Sequence, residues 1–133
     1  MAMSPDAIVG PSHTVADVVA RYAELDPKIK AFVEVFEADA RAEADAVIAR
    51  GLTGPLAGVP VAVKDLYDVA GRATLSGSRA AAVTPMGADS AAVRKLREAG
   101  AVIVGKTVTH EYAFGAMSPP TRNPWNLNRV PAG

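Results

Sequence analysis

The chain has 133 residues, 50% of them hydrophobic and 21% charged, with 14 Lys plus Arg set against 14 Asp plus Glu. That is about one domain of ordinary globular composition, which excludes a disordered or fibrous chain, and its zero net charge leaves no basic stripe to track a phosphate backbone, so nucleic acid is not expected as a direct partner. The absence of cysteine excludes a disulfide framework, a thiolate metal site and a cysteine nucleophile.

The segment from Met1 to Pro11 has no Lys or Arg ahead of its few apolar residues, so it does not read as a secretory signal. No apolar run approaches the roughly 20 residues that cross a bilayer. A cytoplasmic protein without a membrane partner is expected, with residues 1–13 as a flexible lead. Thr14 and Asp17 form a capping-box pattern, and Val15, Val18, Val19, Tyr22 and Leu25 follow at helical spacing, which predicts a helix over 15–25 ended by Asp26-Pro27. Lys30 to Phe36 is short, β-branched and aromatic and reads as extended. From Glu37 to Arg50 the sequence is alanine-rich, with Ala40, Ala44, Val47 and Ile48 predicted on one helical face and Gly51 as the stop.

The most informative residue is Lys64. It closes the apolar run Val59-Pro-Val-Ala-Val63 after an approach punctuated by Gly54, Pro55, Gly58 and Pro60, which reads as a strand delivering a charge to its end. A lysine withdrawn from water is disfavoured as ammonium and becomes available as a base near neutral pH. The competing reading is that Lys64 reaches solvent, or pairs with Asp65 or Asp68.

Residues 65–88, rich in Gly, Ser, Thr and Ala, read as a long irregular loop, of a length that is usually functional or packed against further protein. Asp89 is expected to cap a helix whose inner face is Ala92, Val93, Leu96 and Ala99, with Arg94, Lys95, Arg97 and Glu98 outside and Gly100 as its stop. Ala101 to Val104 is an apolar strand, so residues 59–104 form strand, loop, helix and strand, compatible with a parallel crossover in an α/β fold. Beyond His110 come a short helical turn near Glu111 to Phe114 and a loop with anchors, among them Trp125, the single tryptophan, expected to plug an apolar recess.

Two motifs are set aside. His13 and His110 lie far apart without a His-Glu-x-x-His pattern, so no metal is expected. Gly100-Ala-Val-Ile-Val-Gly105-Lys106-Thr107 fits the phosphate-loop spacing, but a helix is expected before Gly100, and four apolar residues should spend their N–H groups in a sheet.

Residues 54–133 closely resemble the amidase signature family. The resemblance rests on Gly54-Pro-Leu-Ala-Gly-Val-Pro-Val-Ala-Val-Lys-Asp65, Asp68-Val-Ala-Gly71, Thr74 with Gly77-Ser78, and Asp89 leading into Val93-x-x-Leu96-x-x-Ala99-Gly100. It continues through Ala101 to Thr107, Glu111-Tyr-Ala113, Asn123-Pro-Trp125 and Arg129-Val-Pro131. Residues 14–50 resemble the family's helical lead-in. The resemblance implies the N-terminal portion of a single amidase domain, a mixed sheet flanked by helices that is incomplete here. It further implies hydrolysis of linear carboxamide C–N bonds by a nucleophilic serine, a relay serine on a cis peptide, and a lysine as base, whose place Lys64 occupies. The family's serine loop follows a stretch matched by Arg129-Val-Pro-Ala-Gly133, and Ser76, Ser78 and Ser118 do not stand at its serine positions; they read as loop hydroxyls and caps. The 133 residues are therefore expected to be inactive alone. The expected partners are a small-molecule amide in an intact enzyme and a homodimer or a complementing C-terminal fragment; no cofactor is implied. Two other readings stay open: the amidase-like component of a tRNA-dependent glutamyl/aspartyl amidotransferase, and a noncatalytic interaction module.

Overall fold

The structure, a computed structural model, describes residues 14–131; the expected flexible lead and His13 lie outside the described residues. In chain order the elements are α1 (Val15–Ile29), β1 (Phe32–Val35), α2 (Glu37–Ala49), β2 (Pro60–Lys64), α3 (Ala91–Glu98), β3 (Val102–Thr107) and a 3-10 turn (Glu111–Ala113). The strands form one mixed sheet in the order β1-β3-β2, with β2 parallel and β1 antiparallel to the central β3.

Alternation along β3 places its side chains in two cores. Val102 and Val104 pack with Val15, Ala40 and Val47 from α1 and α2. Ile103 packs with Phe36, Val63, Val69 and Val93 from β2, α3 and the loops around them. Helices thus cover both faces of a strand that is buried along nearly its whole length, which is why β3 reads as a continuous apolar run. Gly105 is required by the approach of β1: a Cβ there would lie 2.4 Å from the carbonyl oxygen of Glu34.

Several local expectations are corrected. α1 does not end at Asp26-Pro27; it passes through Pro27 to Ile29, and Lys30 closes it in the left-handed region at φ 56°. Proline forfeits one helical donor but leaves the final turn intact, and Asp26 takes over the exit, its Oδ1 accepting the N–H groups of Ala31 and Phe32 at 2.7 and 3.3 Å. Ile48 does not share the buried stripe of α2 and is 77% exposed. At about 100° per residue it lies about 80° around the helix from Ala40. Asp89 does not cap α3. Ser90 does, accepting from Val93 N, while Asp89 accepts from Ala70 N at 2.8 Å and pairs with Arg97 at 2.6 Å. Ala92 and Ala99 are exposed, and the inner face of α3 reduces to Val93 with Leu96.

The loop after β2 is irregular, as expected, but well tied. Isolated bridges join Ala70 to Met86 and Ala73 to Pro85. Arg72 pairs with Glu34 and Asp39 and lies 4.4 Å from the ring centre of Phe36. Its pKa is raised, first by the hydrogen bond to Asp39 and then by the charges of both carboxylates, against partial burial.

Candidate active site

Lys64 and Thr107 are the last residues of the two parallel strands and are register partners. The C-terminal ends of parallel strands are where α/β sheets present ligand sites, because the chain turns away there and leaves a crevice. An open cleft of about 310 Å³ lies at this end, lined by Ala31, Lys64, Thr107, Val108, Ser118, Thr121 and Pro131. Lys64 also borders an apolar groove along β2 whose walls include Leu56, Val63, Tyr67 and Leu96.

The backbone around Lys64 is fixed. Asp65 N donates to Thr107 O at 3.0 Å, carrying the ladder one residue past the strand, and Lys64 O accepts from both Leu66 N and Tyr67 N at 2.7 and 3.0 Å. The Lys64 side chain is exposed and has no hydrogen bond or ion pair among the described residues. Neither Asp65 nor Asp68 pairs with it. The burial foreseen for this lysine is found instead on the neighbouring strand.

Lys106, whose register partner is Val63, is fully buried. Its Nζ donates to Ala73 O at 2.9 Å and Thr74 Oγ1 at 2.8 Å, and stands 2.7 Å from Asp65 Oδ1 with both side chains 1% exposed. The contact with Asp65 is an ion pair in distance without hydrogen-bond direction, so both Asp65 oxygens lack a directed hydrogen-bond partner among the described residues. The same geometry disposes of the phosphate-loop spacing: the lysine of that pattern lies inside the sheet, and the residues before it form β3 after α3.

The serines divide as their neighbours dictate. Ser78 is buried and its Oγ donates to Glu111 Oε1 at 2.6 Å while accepting from Ala80 N at 3.2 Å, a satisfied structural hydroxyl. Ser76 holds φ 52° and gives its carbonyl to Tyr112 N. Ser118 is half-buried and shares the cleft with Lys64. The stretch that follows is fixed to α1 by Thr121, whose Oγ1 donates to Lys30 O at 2.8 Å, and by Arg122 N donating to Ile29 O. Trp125 does not plug a recess; it is 49% exposed, in a turn where its N–H donates to Asn123 Oδ1.

Sequence reasoning passed over Asp65, Lys106 and Thr74. The signal was available, since Lys106 follows an apolar strand just as Lys64 does, and two such lysines beside one aspartate invite the question of which is paired. No group of three or more metal-ligating side chains occurs among the described residues, and no helix there is long and apolar enough to cross a membrane.

Comparison with known proteins fits this arrangement. The chain is 50% identical over 109 residues to an amidase of Pseudomonas putida, an alignment covering 80% of this chain and 23% of that protein. It is 42% identical over 124 residues to the amidase-like component of the glutamyl-tRNA(Gln) amidotransferase of Geobacter metallireducens, covering 87% and 26%. Among solved structures it is similar, with a TM-score of 0.83 and 39% identity, to a chain from a vestigial protein complex described as revealing the evolutionary origins of an s-triazine catabolic enzyme, covering 90% of this chain and 28% of that one. The chain thus spans about a quarter of the length of the relatives it matches. The Amidase family model matches residues 13–133, and the chain belongs to that family, the amidase signature enzymes.

Proposed function

We propose that this chain supplies the base-bearing N-terminal region of an amidase that hydrolyses linear carboxamide C–N bonds. In this reading Lys64 is the terminal base. A serine Oγ attacks the amide carbon, and its proton passes through a second serine to Lys64 Nζ. The C–N bond breaks as the leaving amine takes a proton, and water then releases the acyl group. The serines belong to polypeptide that the longer relatives carry beyond the matched region. That polypeptide would also cover the cleft, removing Lys64 from water and providing the withdrawal that a lysine base requires.

The observation that carries this reading is the position of Lys64 at the C-terminal end of β2, opening on a cleft with no acidic partner. The 133 residues alone are expected to show no amide hydrolysis. Joined to a relative's downstream region, they are expected to hydrolyse amides, and Lys64→Ala is expected to lower the rate by about three orders of magnitude or more. Turnover that survives Lys64→Ala would overturn the assignment.

The amidotransferase reading is favoured by one observation, the 42% identity to the Geobacter metallireducens protein. The higher identity to an amidase argues for the stand-alone enzyme. Glutamine hydrolysis seen only with partner proteins would reverse that order.

A further inference from the structure

We propose that Asp65 is a positioning residue for Lys64, holding the end of β2 through its buried contact with Lys106 so that the Lys64 side chain is presented to the cleft. The proposal rests on the reading of Lys64 as the functional lysine. Asp65 is 1% exposed and follows Lys64 directly, so the alternation of strand side chains sends the two in opposite directions. One enters the cleft and the other enters the protein.

Residue 65 is held to β3 twice, by its N–H on Thr107 O and by its carboxylate against Lys106 Nζ. Lys106 cannot drift, because its other contacts, Ala73 O and Thr74 Oγ1, belong to the loop that leaves Asp65. The peptide between residues 64 and 65 is therefore fixed relative to β3 and to that loop together.

A purely structural tie would be expected to satisfy its acceptors. Asp65 does not, since neither oxygen has a directed hydrogen bond among the described residues, although both are buried. A buried carboxylate left in that condition is costly, and an apolar pair of similar volume would hold the layers together as well or better. What an apolar pair cannot supply is a fixed separation between two named atoms. That property matters next to a residue whose ammonium must meet a hydroxyl within hydrogen-bond reach.

The test uses the 133-residue chain, its melting temperature and the nuclear Overhauser contacts between the Lys64 ε-methylene and the methyls of Thr107 and Val108. Wild type is expected to show these contacts. In Asp65→Asn they are expected to fall below half their intensity, with at least tenfold faster exchange of the residue 65 amide. Asp65→Leu combined with Lys106→Leu is expected to melt within a few degrees of wild type and still lack the contacts. A double variant that recovers both stability and contacts would show that the pair only holds the fold, and would overturn the proposal. So would a wild type without the contacts, or variants that do not fold at all. None of these readouts involves turnover, so this inference can fail while Lys64→Ala still abolishes hydrolysis, and the reverse.

Discussion

Lys64 and Lys106 stand on adjacent parallel strands, one residue out of register with each other, and their surroundings are opposite. Lys64 is exposed, without a partner for its ammonium among the described residues, at a strand end whose backbone is fully hydrogen-bonded. Lys106 is enclosed, with two directed hydrogen bonds and a carboxylate contact. A lysine whose donors are occupied inside the fold serves the fold, whereas one held out on a rigid backbone is free to take a proton from something else. The difference follows from sheet order. β3 is central and covered on both faces, while β2 is an edge strand whose last residue projects beyond the layers.

The comparison is broken most strongly by removing the buried member. Lys106→Met leaves the Asp65 carboxylate buried and uncompensated, an effect worth about 3–5 kcal/mol, seen as a fall in melting temperature of roughly 10–20 °C. The approach of β1 to β3 comes next. Gly105→Ala places a Cβ against Glu34 O and is expected to cost about 1–3 kcal/mol in chemical denaturation. Gly77→Ala should fall in the same range, because that residue holds φ 67° and a Cβ would lie 2.6 Å from Thr109 O.

Arg72→Met loses two partly exposed ion pairs and the stack on Phe36, for about 1 kcal/mol, less in high salt. The raised pKa of Arg72 means that its contribution is fully present below the ordinary arginine value and is lost only as pH rises above it. The stability lost in Arg72→Met should therefore show no slope from Arg72 titration through the neutral range. The smallest effect belongs to Lys64→Ala. With no partner to abandon, it should change stability by no more than about 0.5 kcal/mol, so that a large loss of activity in a complete enzyme could not be blamed on unfolding.

Much of the fold was legible because its signals are local. The Thr14 cap, the Ala40-Ala44-Val47 stripe, the glycine stops and the apolar run of β3 each follow from short-range periodicity. What was illegible depended on partners distant in sequence. Asp89 has the chemistry of a helix cap, yet Ala70 and Arg97 claim its carboxylate and leave Ser90 to cap α3. Pro27 carries a helix-ending signal that Asp26 overrides by capping the exit from α1. The position of Lys64 at the functional end of the sheet could be read from its strand and from family resemblance. Its exposure could not, because burial depends on what lies across the cleft. The pairing of Asp65 with Lys106 joins residues 41 positions apart, a separation that no local pattern encodes.

The most direct test of this division is amine footprinting of the native chain with a small acylating reagent, read peptide by peptide by mass spectrometry. Lys64 should be modified at a rate comparable to Lys95 on the exposed side of α3, while Lys106 should stay protected until the chain is unfolded. Fast modification of Lys106 in the native chain, or protection of Lys64, would contradict the assignment of one lysine to the cleft and the other to the core.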